Sequence, residues 1–79
     1  MTDSILNRTL AKAGADPVLM VSPAALDDIR HNTDPKDWQI SDRRETYRGA
    51  FIEIHDEWSW GWMVRDREGQ FIYLREDAA

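Results

Sequence analysis

The sequence predicts an α+β fold in which two short helices pack on one face of a small, mostly antiparallel sheet of four to five strands. Three observations lead to this prediction. Apolar residues before residue 31 follow helical spacing around one short apolar run, whereas from Thr46 onward apolar and polar residues alternate as in half-buried strands. The length of 79 residues suits one domain. We therefore expect a single compact domain over 1–79, with a frayed tail at 77–79.

The N-terminal part has the signals of a helix followed by a strand. Asp3 or Ser4 can cap the helix and Gly14 can end it, and the apolar positions recur at intervals of about one turn, at Leu6, Leu10 and Ala13. The run Val18–Val21 is short, partly β-branched and bounded by turn residues, which favours a buried strand.

Ser22-Pro23 is the best local signal in this half, because it combines an N-cap serine with proline at the first helical position. It predicts a second helix from Pro23 to about His31. Three apolar residues of this helix point inward and two aspartates point outward: Ala25, Leu26 and Ile29, against Asp27 and Asp28.

The remainder predicts short strands. Trp38–Ile40 is a short strand or a packing anchor, and 41–45 is a charged loop or edge. Alternation then predicts strands over Tyr47–Asp56, Trp60–Asp66 and Phe71–Arg75. Asp66–Gly69 fits a type I turn closed by a glycine in the left-handed region.

Two helices can cover only one face of such a sheet. The alternation assigns to the covered face the residues Ile52, Ile54, Trp62, Val64, Ile72 and Leu74. It assigns to the open face Tyr47, Phe51, Met63, Phe71 and Tyr73, among Glu53, Arg65 and Arg75. Aromatic rings among charges are typical of a recognition surface.

Residue types argue against catalysis. The chain has no cysteine and only isolated glycines, which excludes thiolate chemistry and a phosphate-binding glycine loop. The one histidine–carboxylate cluster is His55-Asp56-Glu57, in which alternation lets at most His55 and Glu57 share a ligand. We expect no enzyme activity, no metal and no cofactor.

Tryptophan and acidic residues concentrate near residue 57. Trp58, Trp60 and Trp62 share strand parity, so we expect them on one side, with Trp62 in the core and Trp58 partly exposed. The net charge of −5 disfavours direct binding to nucleic acid and favours a basic protein partner, unless it serves only solubility. With no apolar span and no signal-like start, we expect a cytoplasmic protein without membrane contact. We also expect a monomer.

In size, acidity, lack of catalytic residues and α+β outline, the chain resembles small phage-encoded anti-CRISPR proteins, above all inhibitors of type I-C systems. The resemblance implies a protein of the infected bacterial cytoplasm. It would bind a backbone or DNA-recognition subunit of Cascade, the type I CRISPR surveillance complex, and block target DNA. The contact residues we expect are Asp56, Glu57, Trp58, Tyr47, Phe51, Glu53 and Tyr73, with the Asp27/Asp28 helix face as a competing surface.

A second resemblance is to phage head and assembly proteins. It covers the stretch from Asp16 through the Ser22-Pro23 unit and the strand that begins Tyr47-Arg48-Gly49. It implies the alternative function, a virion or head-assembly protein that associates through its open sheet face.

Overall fold

The computed structural model describes residues 5–72 of the chain, and it confirms the α+β class. The elements follow in the order α1 (Ile5–Ala13), β1 (Val18–Val21), α2 (Pro23–His31), a 3-10 turn (Pro35–Asp37), β2 (Trp38–Ser41), β3 (Arg44–Tyr47), β4 (Ala50–Ile54), β5 (Trp62–Arg65) and β6 (Phe71–Ile72). Predictions for Asp3, Ser4, Tyr73, Leu74, Arg75 and the tail 77–79 lie outside the described residues.

The six strands form one mixed sheet in the order β2-β3-β4-β1-β5-β6, which is one strand more than expected. β1 lies inside the sheet, parallel to β4 and antiparallel to β5. All other pairs are antiparallel. The parallel pair requires a long crossover, which the chain supplies with α2 and the β2–β3 hairpin.

Both helices pack on the same sheet face. Leu6 and Leu10 of α1 and Leu26 and Ile29 of α2 meet the buried side chains of five strand residues: Leu19, Val21, Tyr47, Ala50 and Val64. Ile52, Trp62 and Ile72 are half-buried against this core, as expected for the covered face. Ile54 points to the same face of the sheet but is 52% exposed, because it is the last residue of β4 and lies at the rim of the sheet.

The local helix and turn signals are confirmed. The Ser22 hydroxyl accepts the Ala25 N–H at 3.1 Å as the cap of α2, and Gly14 follows α1 with φ of 80°. In the β5–β6 hairpin, Gly69 has φ of 91° and donates its N–H to the Asp66 carbonyl at 3.0 Å.

Two tight hairpin turns were not predicted, and one of them corrects a site residue. Asp42-Arg43 and Arg48-Gly49 all have positive φ, between 51° and 86°, the conformation of two-residue type I′ turns. The second turn places Tyr47 and Ala50 directly opposite each other, so both point to the same face. Tyr47 therefore lies on the helix-covered face and is only 1% exposed, contrary to the expectation of an open-face residue.

The segment expected as the end of one strand and the start of the next is a loop. β4 ends at Ile54 and β5 begins at Trp62, so residues 55–61 form what we call the β4–β5 loop. The sheet order explains the loop, because β1 lies between β4 and β5 and the chain must cross over its end.

Candidate protein-binding site

The β4–β5 loop is fastened to the end of β1 at both of its ends. The His55 N–H donates to the Val21 carbonyl at 2.7 Å, and the Ser22 N–H donates to the Gly61 carbonyl at 3.0 Å. These backbone hydrogen bonds hold the entry and the exit of the loop against one point of the core. The loop therefore starts from a defined position, although its middle faces solvent.

Ser22 has a second role that sequence reasoning missed. Its hydroxyl accepts the Gly61 N–H at 3.1 Å as well as the Ala25 N–H at 3.1 Å, and the residue is fully buried. One side chain thus caps α2 and holds the loop exit. The Ser-Pro pair signals the first role locally, but the second joins residues 39 positions apart and has no local signal.

A histidine between two carboxylates lies at the start of the loop. His55 Nε2 is 2.9 Å from Glu53 Oε1, and His55 Nδ1 is 3.4 Å from Glu57 Oε2. The Trp58 ring stacks on the imidazole with centroids 4.4 Å apart and 13° between the planes. The alternation that pairs His55 with Glu57 also puts Glu53 on the same side, because extended backbone places i and i+2 on one face. The chain keeps its pairing with β1 up to His55, just after β4, where the His55 N–H bonds the Val21 carbonyl.

The two carboxylates favour the imidazolium form of His55. The hydrogen bond to Glu53, partly opposed by burial and reinforced by Glu57, raises the pKa of His55 above its usual 6.5. A hydrogen bond with its own backbone, and then the one with His55, lower the pKa of Glu57. A protonated His55 is a cation against the Trp58 ring, which favours the stacked geometry. Within residues 5–72, no group of three or more His, Asp or Glu side chains is arranged to hold a metal ion.

The tryptophans do not share one side, because the loop breaks the strand parity. Trp60 is 59% exposed, Trp58 is half-buried against His55, and Trp62 is half-buried against the core. Asp56 and Glu57 are both exposed. The same loop therefore exposes a large indole and two acidic residues. Trp60 is a candidate contact residue that the strand alternation in the sequence did not reveal.

Within residues 5–72, the open sheet face has the expected residues apart from Tyr47. In the strand register Val18 lies between Phe51 and Arg65, and Met20 lies between Glu53 and Met63. Phe71 is 46% exposed beside Arg65. The Arg44 guanidinium lies over the Phe51 ring, 4.6 Å from its centroid. With Arg44 and Arg65 on it, this face is mixed in charge, and the acidic character concentrates in the loop.

The expected contact residues thus fall into four groups. Asp56 and Glu57 are exposed in the loop; Glu53, Phe51 and Trp58 are half-buried next to it or on the open face. Tyr47 is in the core, and Tyr73 lies outside the described residues. The competing surface on α2 is also available, since Asp27 and Asp28 are both exposed.

Comparison of the chain with protein-family models, with curated proteins and with solved structures gave no match. No helix within residues 5–72 is both long enough and apolar enough to cross a membrane.

Proposed function

We propose that this chain is a non-catalytic binding domain that docks through the β4–β5 loop onto a cationic surface of another protein. The observation that supports it is that one loop, hydrogen-bonded to the body at both ends, carries the 59% exposed Trp60 together with the exposed residues Asp56 and Glu57. A loop that is already positioned loses less conformational entropy on binding.

Tryptophan and the carboxylates are expected to contribute to different steps of binding. Tryptophan is enriched among the few interface residues that contribute most of the affinity, because a buried indole removes a large apolar area from water. Carboxylates contribute mainly to the rate of encounter with a basic partner. The net charge of −5 acts in the same direction over longer distance.

Within this class, the target that we propose is a protein subunit of Cascade, the type I CRISPR surveillance complex, in the bacterial cytoplasm. The proposal follows the resemblance to anti-CRISPR inhibitors. A complex that holds a nucleic-acid duplex needs a positively charged channel, and an acidic loop with an aromatic anchor is complementary to such a surface. Occupying the channel would exclude target DNA.

The test is co-elution with purified Cascade, combined with competition against labelled target DNA. We expect a stable complex and loss of DNA binding at a stoichiometric amount of this protein. Absence of co-elution, with full DNA binding in the presence of excess protein, would reject Cascade as the target.

Matched variants then test the surface. The double change Asp56→Lys and Glu57→Lys should slow association about tenfold or more, because it reverses the charge that steers the encounter. The control is Asp27→Lys with Asp28→Lys, an equal change of charge on α2. If the α2 pair weakens binding and the loop pair does not, the contact lies on the helix face.

The aromatic anchor is tested separately. Trp60→Ala should accelerate dissociation strongly, by about 30-fold or more for a residue worth 2 kcal/mol. Ile5→Ala, which removes another exposed apolar side chain, on α1, should leave dissociation unchanged. Equal effects of the two substitutions would argue against Trp60 as an anchor.

A further inference from the structure

β2 is an edge strand with an unprotected apolar side chain. It pairs with β3 on one side, and the described part of the chain places no strand on its other side. Ile40 in its middle is 74% exposed. Edge strands usually carry lysine, proline or a bulge that discourages pairing, and the four residues of β2 include neither lysine nor proline.

The backbone of β2 presents hydrogen-bonding groups to solvent at Ile40. The Arg48 N–H donates to the Asp37 carbonyl at 2.8 Å, and residues of an antiparallel pair face the neighbouring strand alternately. Gln39 and Ser41 therefore also bond toward β3, while Trp38 and Ile40 direct their backbone outward. The Trp38 N–H already donates to the Pro35 carbonyl. The Trp38 carbonyl and both backbone groups of Ile40 remain for a further strand.

We propose that β2 pairs antiparallel with β2 of a second copy of this chain, centred on Ile40, so that one sheet runs through both copies. In this register each Ile40 exchanges both backbone hydrogen bonds with its symmetry mate. A two-fold interface of this kind is self-complementary and closes after two copies.

The side chains favour a second copy over an unrelated strand. The two Ile40 side chains lie directly opposite and cover each other, which removes the most exposed large apolar residue of the described chain from water. β2 itself, Trp38–Ser41, carries no charged residue, so two copies of it meet without the repulsion that like charges on opposed strands would cause.

The dimer leaves the candidate binding site free. The β4–β5 loop crosses the end of β1, which is three strands away from β2 in the sheet. The inference does not rest on the proposed function, and it revises the expectation of a monomer. Each dimer would present two loops to a partner.

Sedimentation velocity over a range of concentrations tests the association. We expect a reversible dimer in the wild-type protein and a dissociation constant at least about tenfold higher in Ile40→Lys, because lysine at an edge opposes strand addition. The control is Ile54→Lys, which places the same charge at an exposed isoleucine of interior strand β4 and should dimerise as the wild type does. A wild-type protein that stays monomeric to millimolar concentration overturns the proposal, as does equal dimerisation of the two variants.

Cross-linking tests the register. The natural chain has no cysteine, so Ile40→Cys introduces a single thiol. Directly opposed residues of a hydrogen-bonded pair have Cα atoms about 5.5 Å apart, within the range for a disulfide. Ile40→Cys should therefore form a covalent dimer at least about tenfold faster than Gln39→Cys. In this register Gln39 of one copy lies opposite Ser41, and not Gln39, of the second copy. Equal rates, or faster cross-linking of Gln39→Cys, would overturn the pairing.

Discussion

At the scale of single residues, three neighbouring side chains contact His55 at the start of the β4–β5 loop. Glu53 and Glu57 contact its two ring nitrogens, and Trp58 stacks on its ring. The charge state of one imidazole thus affects the positions of two carboxylates and one indole. Those three side chains belong to the surface that we expect a partner to contact.

The first prediction concerns the pH dependence of this arrangement. Because the pKa of His55 is raised above 6.5, the stabilisation from its carboxylate contacts is fully present below about pH 6.5. It is lost as the pH rises through the raised pKa. We expect the NMR titration midpoint of the His55 ring to lie above 6.5 and to fall in Glu53→Gln, whose neutral amide no longer favours the imidazolium.

The total tryptophan fluorescence should change over the same pH interval, since the imidazole lies against the ring of Trp58, one of the four tryptophans. Glu68→Gln, an exposed change on the β5–β6 hairpin, is the control and should leave the midpoint where it is. An unchanged His55 midpoint in Glu53→Gln would contradict the assigned contact.

The second prediction concerns Ser22. Ser22→Ala removes the acceptor of two N–H groups, those of Ala25 and Gly61, at a fully buried position. Loss of the cap and of the loop contact should together lower the free energy of unfolding by about 2 kcal/mol. Urea denaturation measures it, and Ser59→Ala at an exposed loop position should stay within about 0.5 kcal/mol of wild type. Similar stabilities of the two variants would show that the Ser22 hydroxyl contributes little.

At the scale of elements, the two type I′ turns decide which face each strand presents. Both turns use left-handed backbone, but only Gly49 among their four residues is suited to it without strain. The Asp42-Arg43 turn lacks the Asn-Gly or Asp-Gly pair that usually marks such a hairpin. This composition explains why segment 41–45 was expected to be a loop or an edge.

The third prediction uses this difference. An added methyl at Gly49 would meet no atom within 4 Å, so Gly49→Ala acts only through the positive φ of 86° and should destabilise the protein by about 1 kcal/mol. Arg43→Gly should stabilise the protein by up to about 1 kcal/mol, because glycine adopts the left-handed conformation at this position of the other turn without strain. Thermal and urea unfolding measure both. A destabilised Arg43→Gly would show that the Arg43 side chain contributes more than the strain.

At the scale of the whole molecule, Tyr47 connects α1 with the edge hairpin. Its hydroxyl donates to Asn7 Oδ1 of α1 at 2.7 Å, and its ring lies 4.9 Å from the Trp38 ring of β2. Burial raises the pKa of Tyr47, and Arg48 partly opposes this shift. A residue expected on a binding surface is thus a central part of the core.

The fourth prediction follows from this position. Tyr47→Phe should cost about 1 kcal/mol through loss of the hydrogen bond. Tyr47→Ala should cost about 3–5 kcal/mol through loss of the buried ring. A domain of 79 residues has a total stability of roughly 4–12 kcal/mol, so the second variant should lose between about a quarter and all of its stability. Circular dichroism with urea titration measures both, with Phe71→Ala on the open face as control. If Tyr47→Ala and Phe71→Ala cost the same, Tyr47 is not central to the core.

The surface of the loop was only partly predictable. Asp56 and Glu57 were placed in an exposed acidic segment from their residue types, and Trp58 was expected to be partly exposed beside them. Trp60 was assigned by strand parity to the side of Trp62, although it is exposed in the loop. The alternation does not apply here because the chain leaves the strand to cross the end of β1. β1 is more than thirty positions away in the chain, so the local sequence does not show this crossing.

The sequence by itself determined the features that depend on residues close together in the chain. Both helices, the Ser22 cap, the end of α1 at Gly14, the β5–β6 turn and the apolar rows of the covered face follow from spacing over a few positions. Only the tertiary structure decided the parallel pairing of β1 with β4, the burial of Tyr47, the contact of Ser22 with Gly61 and the exposure of Trp60. These features depend on which segments, distant in the chain, pack against each other. The free energy that favours this arrangement comes from packing across the sheet, and a pattern over a few neighbouring residues carries no information about it.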